Sequence, residues 1–242
     1  MNILEMGRDD ILKLKSDKVE HPLTSHEVVH MAKTLGAFWS YDYEAAKLGR
    51  VGMHAMLKSG RHSDGFFVSK ILLAHNNILQ LVARQMATVL RRLEVFPDYV
   101  VGVPDGATKL GETIAHALGT SILRMEKAEG HMLLKIRPLQ NKTILIVEDF
   151  CTRGTGFIEA VLAVARVQPY ASFSPWNPVI INRGGLSSIS VSAMGEFTIL
   201  PLVEWRVNDW DPTECPLCQM GSVPIKPKAT DENWRAITTS QA

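Results

Sequence analysis

The residues best suited to chemistry lie together between positions 143 and 156. Four apolar residues at 144–147 have the length and branching of a buried strand. Two adjacent carboxylates, Glu148 and Asp149, follow directly. The chain then enters a turn rich in threonine and glycine, which leads into a second apolar segment and consists of Thr152, Arg153, Gly154, Thr155 and Gly156.

This stretch can bind two parts of a phosphorylated sugar. Backbone N–H groups and hydroxyls in the turn can surround a phosphate at the N-terminus of a helix. The two carboxylates can accept hydrogen bonds from neighbouring sugar hydroxyls. Because adjacent carboxylates repel each other and are costly to desolvate, a purely structural turn gains little from them. The pattern therefore indicates a site for a ribose 5-phosphate.

The composition sets broad limits on the class of protein. With 242 residues, 46% of them hydrophobic and 21% charged, the chain is long enough for one large domain with a substantial core. Its net charge of +1 creates no field that would attract nucleic acid or an anionic membrane. No apolar run approaches the roughly 20 residues of a membrane span, and the polar start is unlike a signal peptide. We expect a cytoplasmic enzyme without nucleic-acid or membrane partners.

The elements around the motif predict an α/β fold. A capping-box spacing from Thr24 to Glu27 predicts a first helix ending near Gly36. Further helices are expected at 78–93, 108–118 and 155–168, a hairpin at 126–137, a loop without assigned role at 169–177, and strands at 99–103, 121–123, 143–149, 178–182 and 197–200. Such alternation implies a mostly parallel sheet covered by helices, with ligands at the C-terminal ends of its strands.

The three cysteines give no disulfide framework. Cys215 and Cys218 form one Cys-Pro-Leu-Cys sequence, and Cys151 lies far from them. A zinc site would need two further ligands, and the chain has no second cysteine pair. A redox pair is the other alternative. We interpret the two cysteines as a compact turn in a C-terminal tail.

The motif at 143–156 resembles the phosphoribosyl-diphosphate (PRPP) binding motif of the type I phosphoribosyltransferase family, in which four apolar residues and two acids precede a Thr/Gly turn. The resemblance implies that family's α/β fold, with a mostly parallel central sheet flanked by helices and a small N-terminal hood. It also implies that Glu148 and Asp149 are catalytic and hold the ribose hydroxyls, while the turn at 152–156 holds the 5-phosphate. Mg²⁺ is the implied cofactor, bound largely through waters, so no residue is assigned as a direct metal ligand.

Several other segments, covering most of residues 27–228, resemble the orotate phosphoribosyltransferases within that family. At 57–67, Lys58 matches a residue that approaches the substrate phosphates, and Phe66 and Phe67 match an aromatic cover over the pyrimidine. Arg183 matches the arginine that binds the orotate carboxylate, with Thr152 in the same pocket. The loop that resembles the family's pyrophosphate-binding loop consists of Val103, Pro104, Asp105, Gly106 and Ala107.

The segment 124–137 resembles the family's mobile catalytic loop, which closes over the active site of a neighbouring subunit. By this resemblance Lys127 is the catalytic cation nearest the departing pyrophosphate, and Arg124 contributes to substrate binding. A homodimer is therefore implied. We divide the chain into an N-terminal extension (1–22), an N-terminal helix and hood (23–75), a phosphoribosyltransferase core (76–210) and a C-terminal tail with a CxxC turn (211–242). The extension has mixed charges and no clear period, so we expect it to be loosely attached, and we expect the last residues of the tail to be frayed.

Together these resemblances imply the activity of the orotate phosphoribosyltransferases, which transfer ribose 5-phosphate from PRPP to orotate in pyrimidine biosynthesis and release pyrophosphate. One alternative keeps the PRPP site but takes a purine or another base as the acceptor. A second alternative is a regulator that binds PRPP or a nucleotide on the same fold without catalysis. Residues 1–50 show neither a basic stripe nor a clear helix-turn-helix, which argues against a DNA-binding regulator.

Overall fold

The computed structural model of the protein describes residues 2–242. The α-helices are α1 (Arg8–Lys13), α2 (Ser25–Thr34), α3 (Tyr43–Lys47), α4 (Ser69–Leu72), α5 (Asn76–Arg92), α6 (Thr108–Leu118), α7 (Thr155–Val167), α8 (Pro216–Gln219) and α9 (Asp231–Thr239). The strands are β1 (Phe38–Ser40), β2 (Met53–Met56), β3 (His62–Ser63), β4 (Gly65–Phe67), β5 (Tyr99–Gly102), β6 (Ser121–Leu123), β7 (Met125–Ala128), β8 (His131–Leu134), β9 (Thr143–Cys151), β10 (Ser172–Phe173), β11 (Trp176–Asn182), β12 (Ser188–Val191), β13 (Gly195–Glu204), β14 (Asp209–Trp210) and β15 (Val223–Ile225).

The chain forms two compact units. The larger unit contains the residues up to Met31 together with Ser69–Arg206, and the smaller unit contains Ala32–Val68 together with Val207–Ala242. The four-segment division expected from the sequence stays a prediction. The compact units group the chain differently, because the N-terminal residues belong with the larger unit and the C-terminal tail joins the segment that was expected to form the hood.

A mixed, mostly parallel sheet forms the centre of the larger unit. Its strand order is β12-β13-β11-β9-β5-β6, and the short β10 also pairs with β9. The strands from β13 to β6 are parallel, while β12 runs antiparallel at the edge. This topology confirms the predicted α/β fold with helices flanking a mostly parallel sheet.

The central strand β9 is buried because its apolar run at 144–147 has side chains on both covered faces of the sheet. Helix α6 approaches the neighbouring strand β5 unusually closely. A Cβ atom at Gly102 would lie 1.9 Å from the carbonyl oxygen of Ala107, and one at Gly111 would lie 2.5 Å from the Gly102 nitrogen. These glycines allow the chain to turn tightly from β5 into α6, which fixes the position of the loop between them.

The predicted helices of the larger unit are confirmed with small differences at their ends. Helix α2 begins with the predicted capping box, in which the Thr24 N–H donates to Glu27 Oε2 (2.9 Å) and the Glu27 N–H donates to Thr24 Oγ1 (3.2 Å). Helix α6 and strand β6 have the predicted bounds. Among residues 2–242, no helix combines the length and the apolar character needed to cross a membrane.

Three segments differ from the sequence-based expectation. The N-terminal extension is not loosely attached: Ile3 and Ile11 are fully buried, and the Asn77 amide donates to the Ile11 carbonyl (2.8 Å). The predicted loop at 169–177 contains β10 and the start of β11. The C-terminal tail includes helix α9, whose Ile237 is fully buried.

The smaller unit has its own sheet and core. Its strand order is β14-β3-β2-β15, in which β2 and β3 form an antiparallel hairpin and β15 lies parallel to β2. Strands β1 and β4 form a separate antiparallel pair. The core of this unit is small and contains Trp39, Tyr41, Ala55, Cys215, Leu217 and Ile237.

Candidate active site

The two adjacent carboxylates lie at the C-terminal part of β9, the strand between β5 and β11. Their exposure differs, because successive side chains on a strand point to opposite faces. Glu148 is buried, with 6% of its surface exposed, whereas Asp149 is half-buried. The Phe150 N–H donates to Asp149 Oδ1 (2.9 Å), which leaves Oδ2 for other partners. The pair therefore combines one carboxylate inside the fold with one at its edge.

Burial raises the pKa of the Glu148 carboxyl to about 7. The Asn177 amide (3.4 Å) and the Phe157 N–H bind the carboxylate and oppose this rise, whereas the charge of Asp149 adds to it. Glu148 consequently carries a proton in part of the molecules near neutral pH. A cation or a hydrogen-bond donor that arrives with a ligand would shift it toward the charged form.

The loop at residues 103–107 lies directly beside Asp149. A Cβ atom at Gly106 would lie 2.0 Å from Asp149 Oδ2, so this loop can approach the carboxylate only with glycine at that position. The Val103 N–H donates to the Val147 carbonyl (2.9 Å), which ties the start of the loop to β9. The peptide bond between Pro104 and Asp105 is cis. The structure thus brings together the predicted pyrophosphate loop and the acidic pair.

The turn from β9 into α7 has the geometry of an anion site. Gly154 precedes the helix with φ +67°, a left-handed conformation that glycine adopts without steric cost. A Cβ atom at Gly156 would lie 2.8 Å from Glu148 Oε1, so the first turn of α7 packs against the buried acid. The first N–H groups of a helix have no acceptor within it and attract anions. The predicted phosphate turn and the predicted ribose acids therefore lie side by side.

Arg183 follows β11 and lies beside the same turn. Its N–H donates to the Cys151 carbonyl (2.7 Å), and its Nη2 donates to Thr152 Oγ1 (2.8 Å). A Cβ atom at Gly184 would lie 1.9 Å from the Thr152 carbonyl oxygen, so the two turns are in close contact. The structure thereby places Arg183 with Thr152, as the sequence predicted.

Residues 124–137 contain the predicted hairpin, in which β7 pairs with β8 across Glu129 and Gly130. Lys127 Nζ lies 3.9 Å from Glu159 Oε2, a carboxylate on α7 of the same chain. Arg124 Nε donates to Glu112 Oε1 at 2.9 Å. Each of these two predicted site cations is therefore paired with an acid in the larger unit. The catalytic role of Lys127 and the substrate-binding role of Arg124 stay predictions.

Lys58, Phe66 and Phe67 lie in the smaller unit. Lys58 is exposed in the turn between β2 and β3. Phe66 and Phe67 are neighbours on β4, so their rings point to opposite faces of the strand. Phe67 is buried and stacks on Phe38, with 3.8 Å between ring centroids, whereas Phe66 is partly exposed. Phe66 also packs near Trp234, with 6.2 Å between ring centroids, and the role of the two rings as a joint cover over a base stays a prediction.

Comparison with known proteins supports the resemblance read from the sequence. No protein-family model matches the chain. Orotate phosphoribosyltransferase from Wolinella succinogenes is 28% identical over 188 residues, which cover 72% of this chain and 88% of that protein. The enzyme of the same name from Heliobacterium modesticaldum is 29% identical over 183 residues, with 72% and 88% covered.

Two solved structures share the fold. Orotate phosphoribosyltransferase from Aeropyrum pernix superposes with a TM-score of 0.53 at 18% identity, covering 66% of this chain and 92% of that one. UMP synthase from Leishmania donovani gives 0.51 at 19% identity, covering 82% of this chain and 40% of that one. This chain has the type I phosphoribosyltransferase fold and resembles the orotate phosphoribosyltransferases. The resemblance indicates an enzyme of the pentosyltransferase class.

One residue of this phosphoribosyltransferase-like site was missed in the sequence. Asn177 is fully buried on β11 and donates to Glu148 Oε2, yet it lies in the segment predicted as a loop without a role. The available signal was a polar residue next to an apolar strand, since a buried amide needs a hydrogen-bonding partner. Asn177 holds the buried acid in place from the neighbouring strand.

The interpretation of Cys215 and Cys218 as a simple compact turn is incomplete. In the smaller unit, His54 on β2 and His62 on β3 lie beside the two cysteines. The two further ligands that a metal site would need are therefore present as histidines. No spacing signal in the sequence connects them to the cysteines, because the two histidines lie about 160 residues away along the chain.

Proposed function

We propose that this protein is an orotate phosphoribosyltransferase. It would transfer the ribose 5-phosphate group of PRPP to orotate, giving orotidine 5′-phosphate and pyrophosphate. The observation that carries the proposal is the convergence of three groups at the C-terminal ends of strands β5 and β9. These groups are the phosphate-type turn, the acidic pair and the 103–107 loop. PRPP carries a phosphate, vicinal hydroxyls and a diphosphate, which correspond in number and chemistry to these three groups.

The proposed binding mode assigns one part of PRPP to each group. The 5-phosphate would accept hydrogen bonds from the turn at 152–156 and from the first N–H groups of α7. The ribose hydroxyls would donate to Glu148 and Asp149. The diphosphate would lie against the backbone of residues 103–107, on the side where Asp149 approaches Gly106. The glycine at position 106 supports this mode, since the absence of a side chain there lets the Asp149 carboxylate lie directly against the loop that would hold the diphosphate.

Mg²⁺ fits the donor set of this site. Carboxylate oxygens, sugar hydroxyls and phosphate oxygens are hard ligands, and Mg²⁺ prefers such ligands while it retains several waters. The half-buried Asp149, with Oδ2 directed at the 103–107 loop, is the protein group best placed to hold the ion through a water. When bound, the ion would neutralise charge on the diphosphate and make it a better leaving group.

The transfer itself requires little covalent chemistry from the protein. The C1–O bond to pyrophosphate breaks, a C1–N bond to the pyrimidine forms, and the nitrogen loses its proton. The protein would contribute by holding donor and acceptor in line and by binding the developing charge of the leaving group through backbone N–H groups. Exclusion of water would protect PRPP from hydrolysis.

Arg183 is the proposed determinant of acceptor choice. A guanidinium group binds a planar carboxylate through two parallel hydrogen bonds, and orotate differs from uracil by such a carboxylate. The bond from Arg183 to Thr152 holds the arginine next to the phosphate turn. The acceptor is therefore expected to be an acidic pyrimidine rather than an uncharged base.

The role of Lys127 rests on the resemblance. We propose that it approaches the leaving pyrophosphate in the neighbouring subunit of a homodimer. In its own chain it lies 3.9 Å from Glu159 and is exposed, so a modest movement of the hairpin would free it. An ion pair of this length on the surface contributes little and does not oppose such a movement.

The proposal is tested by an acceptor assay. Purified full-length protein is mixed with PRPP, Mg²⁺ and either orotate, uracil or adenine, and pyrophosphate release and the nucleotide product are measured. We expect pyrophosphate release when orotate is the acceptor and none with uracil or adenine. Release with adenine or uracil but not with orotate would show that a different base is the acceptor. If calorimetry shows that PRPP binds but no base is turned over, the protein is a non-catalytic binding protein.

A further inference from the structure

Four potential metal ligands meet inside the smaller unit. His54 lies on β2, His62 on β3, and Cys215 and Cys218 flank the start and middle of α8. One ligand atom from each residue lies within 4.8 Å of the other three. His54, His62 and Cys215 are buried and Cys218 is half-buried. This group is called the His/Cys cluster below.

We infer that the His/Cys cluster is a structural zinc site with two histidine nitrogens and two cysteine thiolates as its ligands. The site joins the β2–β3 hairpin to the Cys-Pro-Leu-Cys turn. None of its four residues belongs to the acidic pair, the phosphate turn or the 103–107 loop, so the inference does not rest on the proposed transfer reaction.

Four of the six distances between the ligand atoms are close to the edges of a zinc tetrahedron. Zn–N bonds of about 2.05 Å and Zn–S bonds of about 2.3 Å give edges of about 3.3 Å between two nitrogens and about 3.6 Å between nitrogen and sulfur. His54 Nε2 lies 3.1 Å from His62 Nδ1. The sulfur of Cys215 lies 3.7 Å from His54 Nε2, and that of Cys218 lies 3.6 Å from the same atom and 3.3 Å from His62 Nδ1.

Hydrogen bonds among the four residues cannot satisfy this arrangement. His54 Nε2 is approached at once by His62 Nδ1 and by the sulfurs of Cys215 and Cys218. An imidazole nitrogen with a free lone pair accepts one hydrogen bond, and a protonated one donates one. Three neighbours therefore exceed its capacity. A metal ion among the four atoms would instead accept one lone pair from each of them.

The surroundings of His54 orient it as a ligand. Its Nδ1 lies 3.0 Å from Ser222 Oγ, and that hydroxyl donates to the Gly52 carbonyl at 3.1 Å. Since the hydroxyl proton is used on Gly52, the Ser222 oxygen accepts from His54 Nδ1–H. The ring consequently carries its proton on Nδ1 and presents the Nε2 lone pair to the cluster. A second hydrogen bond of this kind fixes the ring orientation of metal-bound histidines in proteins.

The ligand types select the metal and the role. Two thiolates with two imidazoles favour Zn²⁺ over Mg²⁺ or Ca²⁺, which prefer oxygen. Four protein ligands fill a tetrahedral site, so no position remains for a substrate or a reactive water. The smaller unit contains only roughly 70 residues in two segments and has a small core, a size at which metal ions commonly supply stability.

A redox-active disulfide is the competing interpretation of Cys215 and Cys218. It accounts for the two cysteines but not for the two buried histidines directed at them. It also leaves the Ser222 hydrogen bond to His54 without a purpose. The cluster is therefore better explained by a metal than by a thiol pair.

The experiment measures metal content. Full-length protein, with any affinity tag removed, is dialysed against metal-free buffer, and its metal content is measured by inductively coupled plasma mass spectrometry. We expect about one zinc ion per chain for the unaltered protein. Cys215→Ser and His62→Gln should each reduce it to less than about a tenth of that value, because loss of one ligand opens the tetrahedron. Cys151→Ala and the exposed-residue variant His116→Gln are matched controls that should retain the metal.

A second measurement avoids variants that fail to fold. Zinc is removed from the unaltered protein with a chelator, and Co²⁺ is added in its place. We expect the strong visible absorption of tetrahedral cobalt with thiolate ligands, together with a lower Tm after stripping that one equivalent of Zn²⁺ restores. Absence of zinc and of the cobalt spectrum, equal metal loss in Cys151→Ala, or a Cys215–Cys218 disulfide in the purified protein would each overturn the inference.

Discussion

The acidic pair with its phosphate turn (residues 148–156) and the His/Cys cluster are built in opposite ways. The turn is contiguous in sequence: residues 148–156 supply both carboxylates and the start of α7. The cluster takes residues from two distant parts of the chain, 54–62 and 215–218. One is a strand-to-helix connection within the larger unit, and the other joins two segments within the smaller unit.

This difference explains which of the two the sequence reveals. A contiguous site leaves its spacing in the sequence, so a strand, two acids and a glycine turn can be recognised without the fold. A dispersed site becomes visible only when the fold brings its residues together, because single histidines far from a CxxC pair carry no spacing signal. The two sites should also fail differently: the turn by loss of turnover, and the cluster by loss of metal and stability.

The largest expected effect comes from Asp149→Asn. Turnover of PRPP with orotate should fall by about 1,000-fold, because the change removes the charge that would hold a ribose hydroxyl and a hydrated cation. The asparagine oxygen can still accept from the Phe150 N–H, so Tm and zinc content should not change. Steady-state kinetics and thermal unfolding measure the two properties, with the exposed Asp17→Asn as control. Turnover within a few fold of the unaltered protein would contradict the assignment of Asp149 to the PRPP site.

Gly106→Ala tests the contact between the 103–107 loop and the acidic pair. The added methyl group would lie 2.0 Å from Asp149 Oδ2 and 3.0 Å from Ser69 Oγ, so the carboxylate or the loop must move. We expect a loss of about 100-fold in kcat/KM for PRPP, since misplacement by about 1 Å is costly in catalysis.

Gly7→Ala is the matched control for this substitution. Gly7 also has negative φ, and a Cβ atom there would meet its nearest neighbour at 4.0 Å. Its kinetics should equal those of the unaltered protein. If Gly106→Ala behaves like Gly7→Ala, the loop does not determine the position of Asp149.

Arg183→Gln sharpens the comparison within the larger unit, because it separates the acceptor site from the donor site. The orotate KM should rise by about 30-fold, which corresponds to about 2 kcal/mol for a lost charge-assisted pair. The Kd for PRPP, measured by calorimetry, should stay within about twofold. Arg166→Gln, on the exposed end of α7, controls for loss of positive charge. A change in PRPP affinity with unchanged orotate KM would move Arg183 to the donor site.

The sequence predicted the regular parts of the larger unit well, for local reasons. Helix α6 has its predicted bounds because Gly119, in the left-handed conformation, ends it. Helix α2 begins at the predicted capping box because Thr24 and Glu27 satisfy each other's N–H groups. The strand β9 was evident from its apolar run. These signals lie within a few residues of the element that they define.

The remaining parts depend on contacts that are distant in sequence. The N-terminal extension was misjudged because its mixed charges hide Ile3 and Ile11, which are buried only in the folded protein. Helix α9 lies in a C-terminal segment rich in polar residues. Its one fully buried side chain, Ile237, packs in the core of the smaller unit. In each segment the buried apolar side chains are too few, or too irregularly spaced, to set a clear period in the sequence.

The smallest expected effect concerns Glu148 and the dependence of stability on pH. Burial raises the pKa of this carboxyl to about 7, whereas in the unfolded chain it is about 4.3. Between these values the folded state keeps a proton that the unfolded state has lost, so the free energy of unfolding decreases as pH rises and is lowest above pH 7. Glu148→Gln removes this penalty. The variant should be more stable than the unaltered protein by at least about 1 kcal/mol at pH 8 and equally stable near pH 4.

Urea unfolding at several pH values measures this difference, with the exposed Glu20→Gln as control. The control should keep the pH dependence of the unaltered protein, because its carboxylate is hydrated in both states. The variant should at the same time lose affinity for PRPP, since an amide cannot provide the charge for a hydrated cation near the ribose. Greater stability together with weaker binding would identify Glu148 as an acid that is kept in the core at the expense of the fold. If the free energy of unfolding changes with pH equally in Glu148→Gln and the unaltered protein, the buried acid is ionised without a cost in stability. The negative charge of the carboxylate pair would then have to be stabilised by groups other than Asn177 and the Phe157 N–H.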